Sequence, residues 1–307
     1  MRSALSPNVV KTALDKVFWL NFSPAPRPDH GSVLDPQIFN QLSSDRSAEI
    51  IEELKSGGYW DSKNENQNVP AAESRTGNQF TYTHTTFAQI EDIPKEFFDD
   101  DQHGVVQRAI REMAINGRQT REREGMGVFR GGFSDTYGDS AALFADSHSL
   151  LSGDTQDNKL TAALAVSSLE DAIKALSEQK SQAGVIMGVA PRVLLVPPAL
   201  YKPAVEITES KLVSDSAENA INVFSSKYGL IVKQSPFLGA ATSGGSDTAW
   251  FLLGEMHGLE RYEREGVSTT LMGWEDSRAD AYSYKARFRE STGASSHIGI
   301  VGSNGTT

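Results

Sequence analysis

The 307-residue chain contains no cysteine. Disulfide frameworks, thiolate nucleophiles and cysteine-based metal sites are therefore excluded together, and secretion gains no support. No apolar run approaches the roughly 20 residues of a membrane span. Residues 1–19 lack a signal-peptide core followed by a small-residue cleavage site. A soluble protein made in the cytoplasm, with no membrane partner, is the expectation. The sequons Asn21-Phe22-Ser23 and Asn304-Gly305-Thr306 are then chance matches. Positive charge is also short, with 29 Lys and Arg against 40 Asp and Glu, a net of -11. Counterion release needs clustered bases, so this balance argues against a dedicated nucleic-acid binder, although not against a container whose wall merely tolerates DNA.

Chemistry-bearing motifs are equally sparse. His30, His84, His103, His148, His257 and His297 show neither i, i+4 spacing nor acidic company, so no metal ligand is assigned. The Gly239-Ala240-Ala241-Thr242-Ser243-Gly244-Gly245 stretch lacks the Lys-Ser/Thr of a phosphate cradle and reads as a flexible loop, so no cofactor is expected. Gly138-Asp139-Ser140 is similar to the nucleophile block of one esterase family, and Ser140 with Asp146 and His148 is the hydrolase alternative. In that family, however, the acid and base lie far downstream in an Asp-x-x-His block. No catalytic residue is assigned, and the chain is not expected to be an enzyme. Arg108, Arg111, Arg118, Arg121, Arg123 and Arg130 are interleaved with Glu112, Glu122 and Glu124, a mixed-charge solvated or subunit-facing surface. Trp60, Trp250 and Trp274 suit core or interface anchors.

What is present is an ordered series of parts of an α+β protein. Residues 1–57 hold helical patches and Pro24, Pro26, Pro28 and Pro36, and read as an arm, with a short helix predicted from Ser44 to Lys55 on Ile50, Ile51 and Leu54. Tyr59 to Ala88 is polar yet carries Phe80-Thr81-Tyr82-Thr83 and Phe87, which predicts a long exposed hairpin that would gain by lying on a partner. A rod-like helix follows over about 101–124. Asp99, Asp100 and Asp101 stand at its start, Val106, Ile110 and Met113 on one face, and Arg118, Arg121 and Arg123 at its end. Ser167-Ser168-Leu169-Glu170 predicts a capping box opening a third helix. Pro191–Pro198 predicts a buried strand entering a helix near Ala199, and Leu230-Ile231-Val232 and Trp250-Phe251-Leu252-Leu253 predict two more strands. Tyr282 to Arg289 alternates strictly, a half-buried strand, and Ser303 to Thr307 reads as a frayed tail.

The block Ala141-Ala142-Leu143-Phe144-Ala145-Asp146-Ser147-His148, the helix Leu169 to Gln179, the segment Gly188 to Pro198 and the Trp250 to Leu253 strand resemble, in this order, the major head subunit of Mu-like phages and prophages. The resemblance covers about residues 95 to 300. It implies a Hong Kong 97-type capsid fold: an N-terminal arm (1–57), an E-loop hairpin (58–90), a P-domain with a spine helix (91–187), an A-domain (188–280) and a return strand with tail (281–307). The implied function is a major capsid protein of a tailed phage. It would assemble as hexamers and pentamers into an icosahedral shell around double-stranded DNA, with a separate scaffolding protein, a portal and a possible decoration protein as partners. An encapsulin-like compartment shell is the alternative with the same fold.

Overall fold

The structure is a computed structural model that describes residues 7–23, 27–69, 71–72, 74–99, 104–210, 224–272 and 281–306. In chain order come helix α1 (Pro7–Phe22), strands β1 (Asn40–Ser43), β2 (Ala48–Ser56), β3 (Ser74–Thr83) and β4 (Thr85–Pro94), the short α2 (Lys95–Asp99), the long α3 (Val105–Gly125) and the single turn α4 (Gly127–Arg130). The second half holds β5 (His148–Ser149), β6 (Thr155–Gln156), β7 (Lys159–Leu160), α5 (Val166–Glu178), β8 (Pro191–Val196), α6 (Pro198–Glu209), β9 (Ile231–Gln234), β10 (Trp250–Gly254), β11 (Leu259–Met272), β12 (Ala281–Ala294) and β13 (Ile300–Ser303).

The apolar runs Val193 to Val196 in β8 and Trp250 to Leu253 in β10 reflect burial on both faces of one sheet, ordered β7-β13-β10-β8-β9. Val193, Leu195, Phe251 and Leu253 face a core shared with Phe129 of α4, Phe144 and the N-terminal residues Val33, Ile38 and Phe39. Leu194, Val196, Trp250 and Leu252 face α5 and α6 through Leu169, Ile173, Leu176 and Ala204. A second sheet, ordered β1-β11-β12-β4, carries α1 and α3 on one face. There Val10, Leu14, Phe18 and Phe22 interdigitate with Ile110, Met113 and Tyr284. Of the face predicted for β12, Tyr282, Tyr284 and Phe288 are buried and Ala286 half-buried, but the polar face is covered too: Ser283 is buried and Lys285, Arg287 and Arg289 are half-buried in a strand flanked by β11 and β4.

Several expectations are corrected. Ser44 to Lys55 is not a helix: Ala48–Ser56 is β2, paired antiparallel with β3 from Ala48 opposite Thr83 to Ser56 opposite Ser74. Ile50, Glu52 and Leu54 face outward while Glu53 is buried, so the period is two and the apolar spacing mimicked a helical turn. The hairpin therefore begins about ten residues early, and residues from Thr85 onward belong to β4, paired with β12 in the second sheet. Helix α3 starts at Val105 without acid in its first turn; Asp99 ends α2, and Asp100 and Asp101 lie outside the described residues. Helix α5 is opened not by Ser167 but at Ala165, whose N–H donates to Ser168 Oγ at 2.9 Å. The tail is not frayed at Ser303, a fully buried end of β13 whose hydroxyl donates to the Ala162 carbonyl at 2.6 Å.

Candidate functional site

The residues of the hydrolase alternative do not converge. Ser140 is exposed at φ 66, its N–H bonded to the Tyr137 carbonyl at 2.9 Å. Asp146 pairs with Lys159 at the surface, 2.9 Å away. His148 is 1% exposed; its Nδ1 meets Asp139 Oδ2 at 2.6 Å and its Nε2 meets Asn158 Oδ1 at 3.1 Å. The nitrogen a nucleophile would need is thus held by an amide, and Ser140 is not its partner.

Asp139 and His148, near in sequence, come together instead with His297 from the turn before β13, with the two imidazoles stacked 3.9 Å apart at 1°. Their proton positions follow from the surrounding amides. Asn158 Nδ2 donates to the Leu143 carbonyl at 2.8 Å and its Oδ1 accepts from Ala145 N–H at 3.0 Å, so Asn158 Oδ1 can only accept from His148 Nε2. Both ring nitrogens of His148 therefore donate. Gln156 Nε2 donates to the Lys180 carbonyl at 3.1 Å and to His297 Nε2 at 2.8 Å, which leaves His297 an acceptor there. Burial, with His148 beside it, pushes His297 down to about 3. Burial opposes ionisation of Asp139 as well, but the bonds from His148 and Ala141 N–H hold its carboxyl below the usual range. These three are the set of adjacent potential metal ligands found among the described residues, and their wiring does not fit a metal. His148 presents donors, and the His297 Nε2 lone pair is taken. The group is a clasp that ties the segment before β5 to the turn before β13. Six scattered histidines gave no sign of it, because the pairing is made by the fold.

The arginine run is likewise divided by the fold. Arg121 is buried, 3.2 Å from Glu290 and over the rings of Phe22 and Phe288 at 5.1 and 4.8 Å. Arg261 shares Glu290 and reaches Glu263 at 2.8 Å. Arg130 Nη1 donates to the Phe237 carbonyl at 3.0 Å, whereas Arg108, Arg111 and Arg123 remain exposed. Among the tryptophans, Trp250 is a core residue donating to the Ala162 carbonyl at 3.1 Å, Trp60 is 99% exposed, and Trp274 lies outside the described residues.

The hairpin of β2 and β3 is the main candidate surface. Its inner face does not wait for a partner but lies on its own chain: Phe80 is 6.3 Å from Tyr137 and Tyr82 is 5.1 Å from Tyr262. Gly138 sits under Phe80 and Gly77 against Leu151, where a Cβ would come within 2.7 and 2.8 Å of those side chains. The outer face and tip keep Ile50, Leu54, Tyr59, Trp60 and Val69 in solvent.

A family model for the phage capsid protein matches residues 78–302, well over half of the chain. The chain belongs to the phage capsid protein family. This capsid protein is a building block of the virion shell. Its fold is shared with the procapsid protein of bacteriophage JBD30, at 16% identity and a TM-score of 0.51 over 96% of this chain and 73% of that one. It is shared too with the capsid of cyanophage P-SCSP1u, at 8% identity and a TM-score of 0.57 over 92% and 90%. The virus-like particle from Pyrococcus furiosus shares it at 10% identity and a TM-score of 0.51, over 95% and 96%. No curated protein sequence matches. The capsid protein is thus an α+β chain of the Hong Kong 97 type. No described helix is long and apolar enough to cross a membrane.

Proposed function

We propose that this capsid protein assembles as hexamers and pentamers into a closed icosahedral shell around double-stranded DNA. In this reading the four-stranded sheet with α3 is the P-domain, α3 its spine, the five-stranded sheet with α5 and α6 the A-domain, and the β2–β3 hairpin the E-loop. Residues before β1 form the arm. The observation that carries it is the hairpin's apolar outer side. Ile50 and Leu54 are each more than half exposed, and Tyr59, Trp60 and Val69 extend the patch to the tip. A monomer gains nothing from such a row, whereas a neighbouring copy would bury it, and many modest contacts repeated with closed symmetry make a stable container. The acidic balance of -11 would limit adhesion to packaged DNA.

Assembly of such a shell calls for a portal and a separate scaffolding protein. A decoration protein is a further partner, by analogy with the JBD30 capsid, which is decorated with minor capsid protein trimers. Velocity sedimentation tests the role of the patch. The wild-type chain should sediment as shell-sized particles with its scaffold. The Trp60→Asp, Ile50→Asp double variant should remain small while keeping its circular-dichroism melt. Equal particle yield from both would remove the hairpin from the assembly contact.

A further inference from the structure

Strand β4 closes one side of the β1-β11-β12-β4 sheet, and no described strand lies beyond it. It pairs with β12 over ten residues, from Thr85 opposite Glu290 to Pro94 opposite Ala281, without a register shift. A free edge presents a row of N–H and C=O groups, and monomeric proteins blunt it with lysine, an internal proline, a bulge or a very short strand. The other edges of the two large sheets, β1, β7 and β9, are short in this way. Strand β4 is not. It has no basic residue, no glycine and no bulge, and its one proline is its last residue. Thr85, Thr86, Ala88, Gln89, Ile90 and Asp92 are exposed, Ile90 by 47%.

Beside this edge, the sheet face turned away from α1 and α3 is basic. Arg289, Arg287 and Lys285 of β12 stand opposite Thr86, Ala88 and Ile90. Arg287 pairs with Glu265 at 2.7 Å. Arg289 makes no ion pair or side-chain hydrogen bond among the described residues, and its Nε is buried without an acceptor. The acid of β4 lies in its other half, at Glu91 and Asp92. Asp92 accepts from Ser283 Oγ of β12, which places it on the same face as the three bases.

We infer that β4 pairs with the β4 of a second copy, antiparallel about a two-fold axis at Gln89, and so joins the two sheets into one. The charges select this arrangement. With Gln89 opposite Gln89 of the second copy, Asp92 falls opposite Thr86 of that copy, whose neighbour on β12 is the unpaired Arg289. Two strand spacings of about 4.8 Å separate the two Cα atoms, within reach of an extended arginine. Ile90 falls on Ala88, large on small, and Glu91 meets Phe87 instead of another carboxylate. The interface is isologous and closes on itself, with main-chain bonds for affinity and the charge pair for register. It is a property of two free chains and does not rest on the shell-building function; within a shell it would tie one capsomer to the next.

The absence of cysteine makes disulfide trapping clean. Successive pairs of an antiparallel ladder alternate between the hydrogen-bonded and the closer, non-hydrogen-bonded type. Either the Gln89→Cys self-pair or the mixed pair of Ala88→Cys with Ile90→Cys is therefore of the close type. On mild oxidation of the full-length variants, one of the two should form dimer at least about tenfold faster than Thr85→Cys, whose two copies lie on the order of 27 Å apart in this register. Added to the trapping variant, Arg289→Glu should slow dimer formation about fivefold, as should Asp92→Arg, while an equimolar mixture of the two restores it because unlike charges again meet at both ends. Rates no higher than that of Thr85→Cys in both pairs would overturn the pairing. So would trapping of Ile90→Cys with Leu54→Cys, which would give the edge to a neighbour's hairpin. A mixture that stays slow would overturn the register. Should the variants fail to fold, hydrogen exchange on the unmodified chain decides. The β4 amides turned away from β12 should gain about tenfold in protection as the chain is concentrated, and no gain would overturn the pairing.

Discussion

Arg121 shows how a single residue can be legible and still be misassigned. Its sequence neighbours are charged, which suggests a solvated surface, but its spacing from Val106, Ile110, Met113 and Gly117 places it on the apolar stripe of α3. Counting by four and three would have found it. Arg121→Ala leaves Glu290 to Arg261 alone and removes the guanidinium from over Phe22 and Phe288, so urea unfolding should show a loss of about 3 kcal/mol. The Asp139–His148–His297 clasp, by contrast, was not legible, since its members depend on Asn158 and Gln156 to fix their protons. Because His297 falls from an ordinary 6.5 to about 3, its neutral form is favoured in the fold. Its contribution is complete above about pH 6.5 and is lost as pH falls toward 3. Asp139, held low, loses its own contribution at the acid end of the same range. Stability should therefore drop between pH 6.5 and 4 with a slope of up to about 1.4 kcal/mol per pH unit. His297→Phe should flatten that slope; an unchanged slope in chemical denaturation would contradict the assignment.

Among the elements, the apolar strands β8 and β10, the alternating β12 and the rod α3 could be read directly, because apolar residues on two faces, on one face and on a helical stripe each leave a distinct period. Strand β2 could not: Ile50, Ile51 and Leu54 fit either period, and only the partner strand β3 decides between them. Helix α3 ends at Gly125, and the structure gives this glycine a role beyond helix termination. A Cβ there would stand 2.2 Å from Val33 Cγ2, so the N-terminal segment seats on the bare backbone. Gly125→Ala should cost about 1–3 kcal/mol in thermal or urea unfolding, and Val33→Ala should restore part of it in the double variant. Additive losses would show that the two positions are independent.

At the scale of the whole molecule, the order of parts carried more information than any motif. The resemblance over residues 95 to 300 and the family match over 78–302 fall on nearly the same stretch, while sequence identity to the structures of shared fold stays at 8 to 16% for the phages named. Fold at such distance is kept by the pattern of buried faces, not by letters. The surface keeps less: the exposed Trp60, proposed above to be covered by a neighbouring copy, sits where no period reveals a role. Electron cryo-microscopy of particles formed by the purified chain with its scaffold is the most direct test. Closed icosahedral shells, with the β2–β3 hairpin of each copy lying over its neighbour, are the predicted result. Only small open oligomers under all assembly conditions would contradict the shell-forming function.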